Sequence, residues 1–244
     1  MRSDLRSADQ LRPLTIELDF LPTAEGSALI TVGSTRVLCA ATLETTVPSF
    51  MRGQGRGWVT AEYAMLPRST LTRTPREINK GRPGGRTHEI QRLIGRALRS
   101  ACDLEALGER TILLDCDVLQ ADGGTRTASI CGAFVALALT CQRLLEAKTL
   151  ARLPLRHYLA ATSVGIVNGE PVLDLNYQED SHAAVDMNVV LAGDGRYVEL
   201  QATAESEPFD DRQMAELLRL ARLGITGIMA CQHELLQLDL PRLS

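Results

Sequence analysis

Three groups of residues in the 244-residue chain have types and spacings that suit chemistry. The first is a pair of similar turns, Gly84–Gly85–Arg86–Thr87 and Gly123–Gly124–Thr125–Arg126–Thr127. Glycines let a ligand approach the backbone, and a helix start offers unpaired N–H groups and a positive dipole end. Arg86 and Arg126 add forked donors that match phosphate oxygens. One such turn is ordinarily just a tight helix start capped by Thr or Ser; two copies favour an oxyanion site. The second group is Glu179–Asp180–Ser181–His182–Ala183–Ala184–Val185–Asp186–Met187–Asn188. On a strand, Asp186 and Asn188 share one face and Val185, Met187 and Val189 the other, with Asp180 just upstream. Hard oxygen ligands on a strand rim suit Mg²⁺ or Mn²⁺, which bind through one or two carboxylates plus substrate oxygens. The bland alternative is a solvated polar face beside a turn, with His182 a loop residue. The third group is Arg68, Arg73 and Arg76, interleaved with Ser and Thr. Those donors suit phosphate-backbone contact. Only Trp58 and Tyr63 stand nearby as stacking platforms, so backbone and shape recognition fits better than base reading.

Elements must hold these groups. Alternation from residue 14 to about 47 reads as strands, with 28–32 and 36–42 joined at Gly33–Ser34–Thr35 in a tight hairpin. Residues 58–65 form a further strand. Residues 66–85 have little apolar periodicity and read as a long functional loop carrying the third group. Ile90, Leu93, Ile94, Ala97, Leu98 and Ala101 recur at three and four residues and predict a helix over 87–103, with Arg92, Arg96 and Arg99 on another face. A strand over 111–120 follows, then a helix over 127–147, apolar on most sides and therefore central. Further strands fall at 159–167, 171–175, 184–191 and 197–203, the last two joined at Gly193–Asp194–Gly195. Two helices, 211–223 and 226–238, close the chain, with Gly224 ending the first. No linker rich in Pro, Gly or Ser interrupts this order, which predicts an α+β fold with helices packed on a mixed sheet.

Composition narrows the class. At 45% hydrophobic and 23% charged, the chain has enough apolar residues for a sizeable core. A net charge of -4 argues against a broadly basic nucleic-acid binder. Yet residues 52–86 carry eight Arg or Lys against two acids, a +6 patch on an acidic body. The six cysteines form no C-x-x-C pair and most lie in apolar runs, so they read as small buried hydrophobes of a reducing cytosol. Arg2, Asp4, Arg6 and Asp9 precede any apolar stretch, and no uninterrupted apolar run approaches the roughly 18 residues of a membrane span. The expectation is a cytoplasmic protein with no membrane partner. Walker, G-x-S-x-G, H-E-x-x-H and dinucleotide-binding motifs are absent from the sequence.

Longer stretches carry a resemblance. Gly53–Gln54–Gly55–Arg56–Gly57–Trp58–Val59–Thr60–Ala61–Glu62–Tyr63, Leu66–Pro67–Arg68–Ser69–Thr70, Gly85–Arg86–Thr87, the run from Leu114 to Thr127, and Glu179–Asp180 with Asp186–Met187–Asn188 resemble the bacterial ribonuclease PH family. Its members are tRNA nucleotidyltransferases that trim 3′ ends with phosphate. The resemblance implies a single domain over residues 1–244, of the ribosomal protein S5 domain 2-like type, assembled as a homohexameric ring of three dimers. It implies that Arg86, Gly124, Thr125 and Arg126 bind inorganic phosphate as co-substrate. Asp180 and Asp186 would hold a divalent metal, Mg²⁺ or Mn²⁺, and supply acid chemistry at the leaving 3′ oxygen. Arg68, Arg73 and Arg76 would grip tRNA precursors and other structured RNA 3′ ends. Ala64, Leu71, Pro75, Ala202 and Ser206 depart from the family pattern and leave the phosphate and metal residues intact. A non-catalytic RNA-binding ring subunit and a hydrolytic nuclease are the rival classes; the first would lose the phosphate or metal residues, and the second needs no phosphate cradle.

Overall fold

Strand alternation and turn chemistry set up two sheets in the computed structural model, which describes residues 2, 4–77, 81 and 84–243. The first contains β1 (Leu14–Leu18), β2 (Gly26–Val32), β3 (Thr35–Glu44), β4 (Trp58–Met65) and β5 (Thr111–Gln120) in the order β1-β2-β3-β5-β4. The β2–β3 hairpin turns at Gly33, whose φ of +56° lies in the left-handed region a tight turn needs. All neighbours in this sheet are antiparallel except β4 and β5, which run parallel. The second sheet orders β7 (Glu170–Leu173), β6 (Leu159–Val167), β8 (Val185–Ala192) and β9 (Tyr197–Ala204) as β7-β6-β8-β9, antiparallel throughout.

The helices are α1 (Gly85–Ala101), α2 (Leu104–Leu107), α3 (Thr125–Glu146), α4 (Tyr177–Asp180) and α5 (Asp211–Leu236), with a 3₁₀ turn at Ser49–Met51. The apolar stripe of α1 is buried as its spacing predicts. Helix α3 packs on β2 and β3 of the first sheet and on β6 of the second, so it is buried on nearly every side. It is long and apolar enough to cross a membrane, but that composition follows from its place in the core. Gly132 permits the close approach: a Cβ there would lie 2.8 Å from both Cys39 Sγ and Ile30 Cγ2.

The expected break at Gly224 does not occur. Residues 211–236 form one helix, with Asp210 and Gln213 completing a capping box at its start. Gly224 is buried mid-helix, where a Cβ would come within 2.7 Å of Leu173 Cδ1. That glycine serves close packing, not termination. Periodicity also passes over α2 and α4, which are four residues each and identified only by their caps, Asp103 and the Asn176–Glu179 capping box.

The parallel pairing of β4 with β5 positions the site. It needs a crossover, which α1 supplies, and it delivers the C-terminal ends of both strands to one edge. There the N–H of Leu66 donates to the Val118 carbonyl at 3.0 Å, and that of Ala121 to the Ser69 carbonyl at 2.8 Å. The loop of arginines thus starts beside the Gly123–Gly124 turn.

Candidate active site

Both glycine–arginine turns start helices, and neither start is capped by a side chain. Gly84 is the N-cap of α1 and Gly124 that of α3. Thr87 gives its hydroxyl to Glu77 at 2.8 Å, and Thr127 gives its own back to the Gly124 carbonyl at 2.9 Å. The first-turn N–H groups of α3 are therefore left without a side-chain acceptor, as an anion site requires. Gly123 and Gly124 hold φ of +74° and +66°. A Cβ on Gly123 would sit 2.6 Å from Leu175 O and from the carbonyl carbon of Asn176, so only glycine fits. Thr35 locks the turn from below: its hydroxyl donates to the Gly123 carbonyl at 2.7 Å and accepts from the Asp122 N–H at 2.9 Å.

Arg86, Gly124, Thr125, Arg126, Asp180 and Asp186 line one cleft of about 820 Å³. Residues from the two sheets and from both glycine–arginine turns thus converge, although sequence places them up to a hundred positions apart. Asp186 and Asn188 face this cleft from β8 while Val185, Met187 and Val189 are buried on the other side, as strand alternation requires. Ser163, directly opposite Asn188 on β6, also faces it.

Charge is arranged in opposition across the cleft. Burial and then the neighbouring Asp186 carboxylate push the Asp180 carboxyl above its ordinary range, against the pull of Arg126 and Arg86. Burial likewise raises the Tyr63 phenol, although Thr125, Arg86 and Arg126 draw it down. Tyr63 and the Thr125 hydroxyl are 2.9 Å apart. Arg126 is held by Gln201, to whose Oε1 it donates at 2.7 Å, and lies 3.7 Å from Glu89. Gln201 in turn donates to Glu89 at 2.6 Å.

Among the described residues, no group of three or more His, Cys, Asp or Glu is set to enclose a metal. Asp180 and Asp186, close enough that the second carboxylate helps to raise the first, suit an ion that binds through one or two carboxylates and keeps water or substrate oxygens, as Mg²⁺ does.

Arg68, Arg73 and Arg76 are exposed and stand outside the cleft lining, whereas Thr70, Leu71, Thr72 and Thr74 of the same loop line it. Arg68 donates to the Leu71 carbonyl at 3.1 Å, and Leu71 is 90% exposed at the mouth. Lys80 and Arg82 of the basic segment lie outside the described residues. His182 is a turn residue, its ring 2.9 Å from the Gln178 carbonyl.

Sequence spacing passes over Arg12, Asp174, Gln201 and Glu89. Arg12 is buried against Asp174, a partner 162 positions away, and no local pattern signals such a pair.

Two models of the 3′ exoribonuclease family match the chain, domain 1 over residues 10–141 and domain 2 over 157–223. Ribonuclease PH of Solibacter usitatus (strain Ellin6076) is 64% identical over 237 residues, covering 97% of this chain and 100% of the relative. Ribonuclease PH of Moorella thermoacetica is 58% identical over 236 residues, covering 97% of this chain and 94% of the relative. The fold is shared with rice (Oryza sativa) Rrp46, with a TM-score of 0.79 at 20% identity over 97% of this chain and 100% of that one. It is shared too with the Archaeoglobus fulgidus exosome with RNA bound to the active site, with a TM-score of 0.76 at 24% identity over 97% of this chain and 91% of that one. The chain belongs to the 3′ exoribonuclease family, as a ribonuclease PH.

Proposed function

We propose that this exoribonuclease trims the 3′ ends of tRNA precursors by phosphorolysis, releasing one nucleoside diphosphate per step. The observation that carries the reading is the convergence of two uncapped glycine–arginine helix starts and a carboxylate pair in one cleft. Arg86, Arg126, Thr125 and the backbone at Gly124 hold inorganic phosphate. A phosphate oxygen attacks the last internucleotide phosphorus, and the bond from that phosphorus to the 3′ oxygen of the preceding nucleotide breaks. The two guanidinium groups stabilise charge spreading over the oxygens. Asp180 and Asp186 supply acid chemistry at the departing 3′ oxygen, which takes up a proton as its bond to phosphorus breaks. Asp180 and Asp186 would hold Mg²⁺ or Mn²⁺, which would supply Lewis-acid stabilisation of the same charge. The reverse reaction adds nucleotides from diphosphates.

Arg68, Arg73 and Arg76 are exposed on the loop whose neighbouring residues line the cleft, and exposed cations there suit the phosphates of a folded RNA. The edge strand β9 exposes Tyr197 and Leu200, and apolar residues on a free sheet edge suit coverage by another copy in a homohexameric ring of three dimers. Six unpaired cysteines fit a cytoplasmic location. Both the phosphate and the metal residues are present, which disfavours a non-catalytic ring subunit. Replacing Arg126 with Ala raises the phosphate KM by roughly 10- to 100-fold, the worth of a hydrogen bond to a charged group, and leaves RNA binding in place. Lost RNA binding with unchanged phosphate dependence contradicts the assignment.

A further inference from the structure

The two sides of the cleft meet at the Gly123 turn. The N–H of Tyr177 reaches Asp122 Oδ1 at 3.3 Å, and the Gly123 backbone lies against residues 175–177. A strap of three arginines from the start of the chain reinforces it. Arg12, 4% exposed, grips Asp174 with a two-point fork, Nη2 to Oδ1 at 2.7 Å and Nε to Oδ2 at 3.0 Å. Its backbone N–H adds a third bond to Oδ2 at 2.8 Å. The same guanidinium donates through Nη1 to the Asp122 carbonyl and reaches the Gly123 carbonyl at 3.5 Å. One buried side chain therefore touches both the turn that starts α3 and the segment that leads through α4 to Asp180.

Arg2 acts on the second of these only. It holds Glu179, the residue before Asp180, at 2.7 and 2.8 Å, and the Asp174 carbonyl at 3.0 Å. Arg6 joins it on the Asp174 carbonyl at 3.0 Å. Glu179 closes the capping box of α4 by accepting the Asn176 N–H at 3.0 Å. Thr35 is the converse case, bonded to the Asp122–Gly123 backbone on the phosphate side. Buried ion pairs are weak sources of net stability compared with apolar packing, so a network of them at this junction points to placement.

We propose that Arg12 is a positioning residue for both sides of the cleft, Arg2 for the carboxylate side alone, and Thr35 for the phosphate side alone. The identity of the two ligands rests on the phosphorolytic reading. Binding to the full-length protein tests it without turnover: inorganic phosphate by calorimetry, and Mn²⁺ by loss of the free ion's electron-spin resonance. Arg2→Gln, which frees the residue next to a metal ligand, weakens Mn²⁺ binding by roughly tenfold, the low end of the cost of losing a ligand's own outer partner, and leaves phosphate binding within about twofold. Thr35→Val does the reverse. Arg12→Lys, which keeps the charge and loses the fork, weakens both. A merely structural role lowers thermal stability and shifts the two ligands together in every variant, and that result overturns the proposal. If Arg12→Lys does not fold, the opposite selectivities of Arg2→Gln and Thr35→Val still decide it. Wild-type protein that binds neither probe overturns the phosphorolytic reading with it; wild type that binds both, with unselective variants, overturns the strap alone.

Discussion

Gly123 shows how much a single position contributes to the site. Its φ of +74° and the 2.6 Å approach of a would-be Cβ to the backbone of residues 175–176 combine strain with a backbone clash. Gly123→Ala should lose about 1–3 kcal/mol, read from urea midpoints, and weaken phosphate binding beyond what the folded fraction explains. Wild-type stability in that variant would remove the turn from the cleft's frame. Burial acts in the same local way on the thiols. Cys102 and Cys131 are pushed up to about 12, chiefly by burial, and Cys39 and Cys141 are raised as well. A thiol reagent at pH 8 should therefore modify at most the half-buried Cys231 in the native protein and all six after unfolding. The glycine–arginine turns and the carboxylate pair were legible in the sequence because their chemistry is carried by neighbouring residues. The Arg12–Asp174 clasp was not, because its partners meet only once both sheets are in place.

Among the elements, β4, β5 and β6 kept their sequence-derived bounds, β6 as a continuous run buried on both faces. The terminal helix did not, since a glycine that ends a helix and one that lets a neighbour approach look alike until the neighbour is known. Gly224 is of the second kind. Helix α2 is too short for periodicity and depends on Asp103, which accepts from the N–H groups of Glu105 and Ala106 at 3.2 Å. The Ala106 N–H and then Arg152 hold that carboxyl below its ordinary range, although partial burial opposes them. A depressed folded value means the cap contributes above the unfolded value of about 3.9 and is lost as pH falls through the lowered one. Asp103→Ala should cost about 1 kcal/mol at pH 7, shrinking towards zero in urea titrations as pH falls through the lowered folded value. A cost that does not change with pH would assign the effect to packing.

For the whole molecule, the distribution of charge matters more than its sum. The net of -4 conceals a +6 segment at residues 52–86, and Arg68, Arg73 and Arg76 are exposed on the loop whose Thr70, Leu71, Thr72 and Thr74 line the cleft. Replacing Arg68, Arg73 and Arg76 together with Ala should weaken RNA binding and flatten its salt dependence, lowering the slope of log K against log salt by roughly 2–3. Phosphate affinity without RNA should stay as in wild type. The α+β class was legible from element order, whereas the parallel β4–β5 pair was not, because periodicity does not report strand direction. One core cluster runs from Ile16 to Leu238, through both spans matched by the family models, with α3 between the sheets. The cleft thus draws its two glycine–arginine turns from the first span and its carboxylates from the second. The most direct test is analysis of the nucleotides released from a 3′-extended tRNA with and without inorganic phosphate. Phosphorolysis predicts nucleoside diphosphates that appear only when phosphate is added; nucleoside monophosphates released at the same rate in phosphate-free buffer would contradict it.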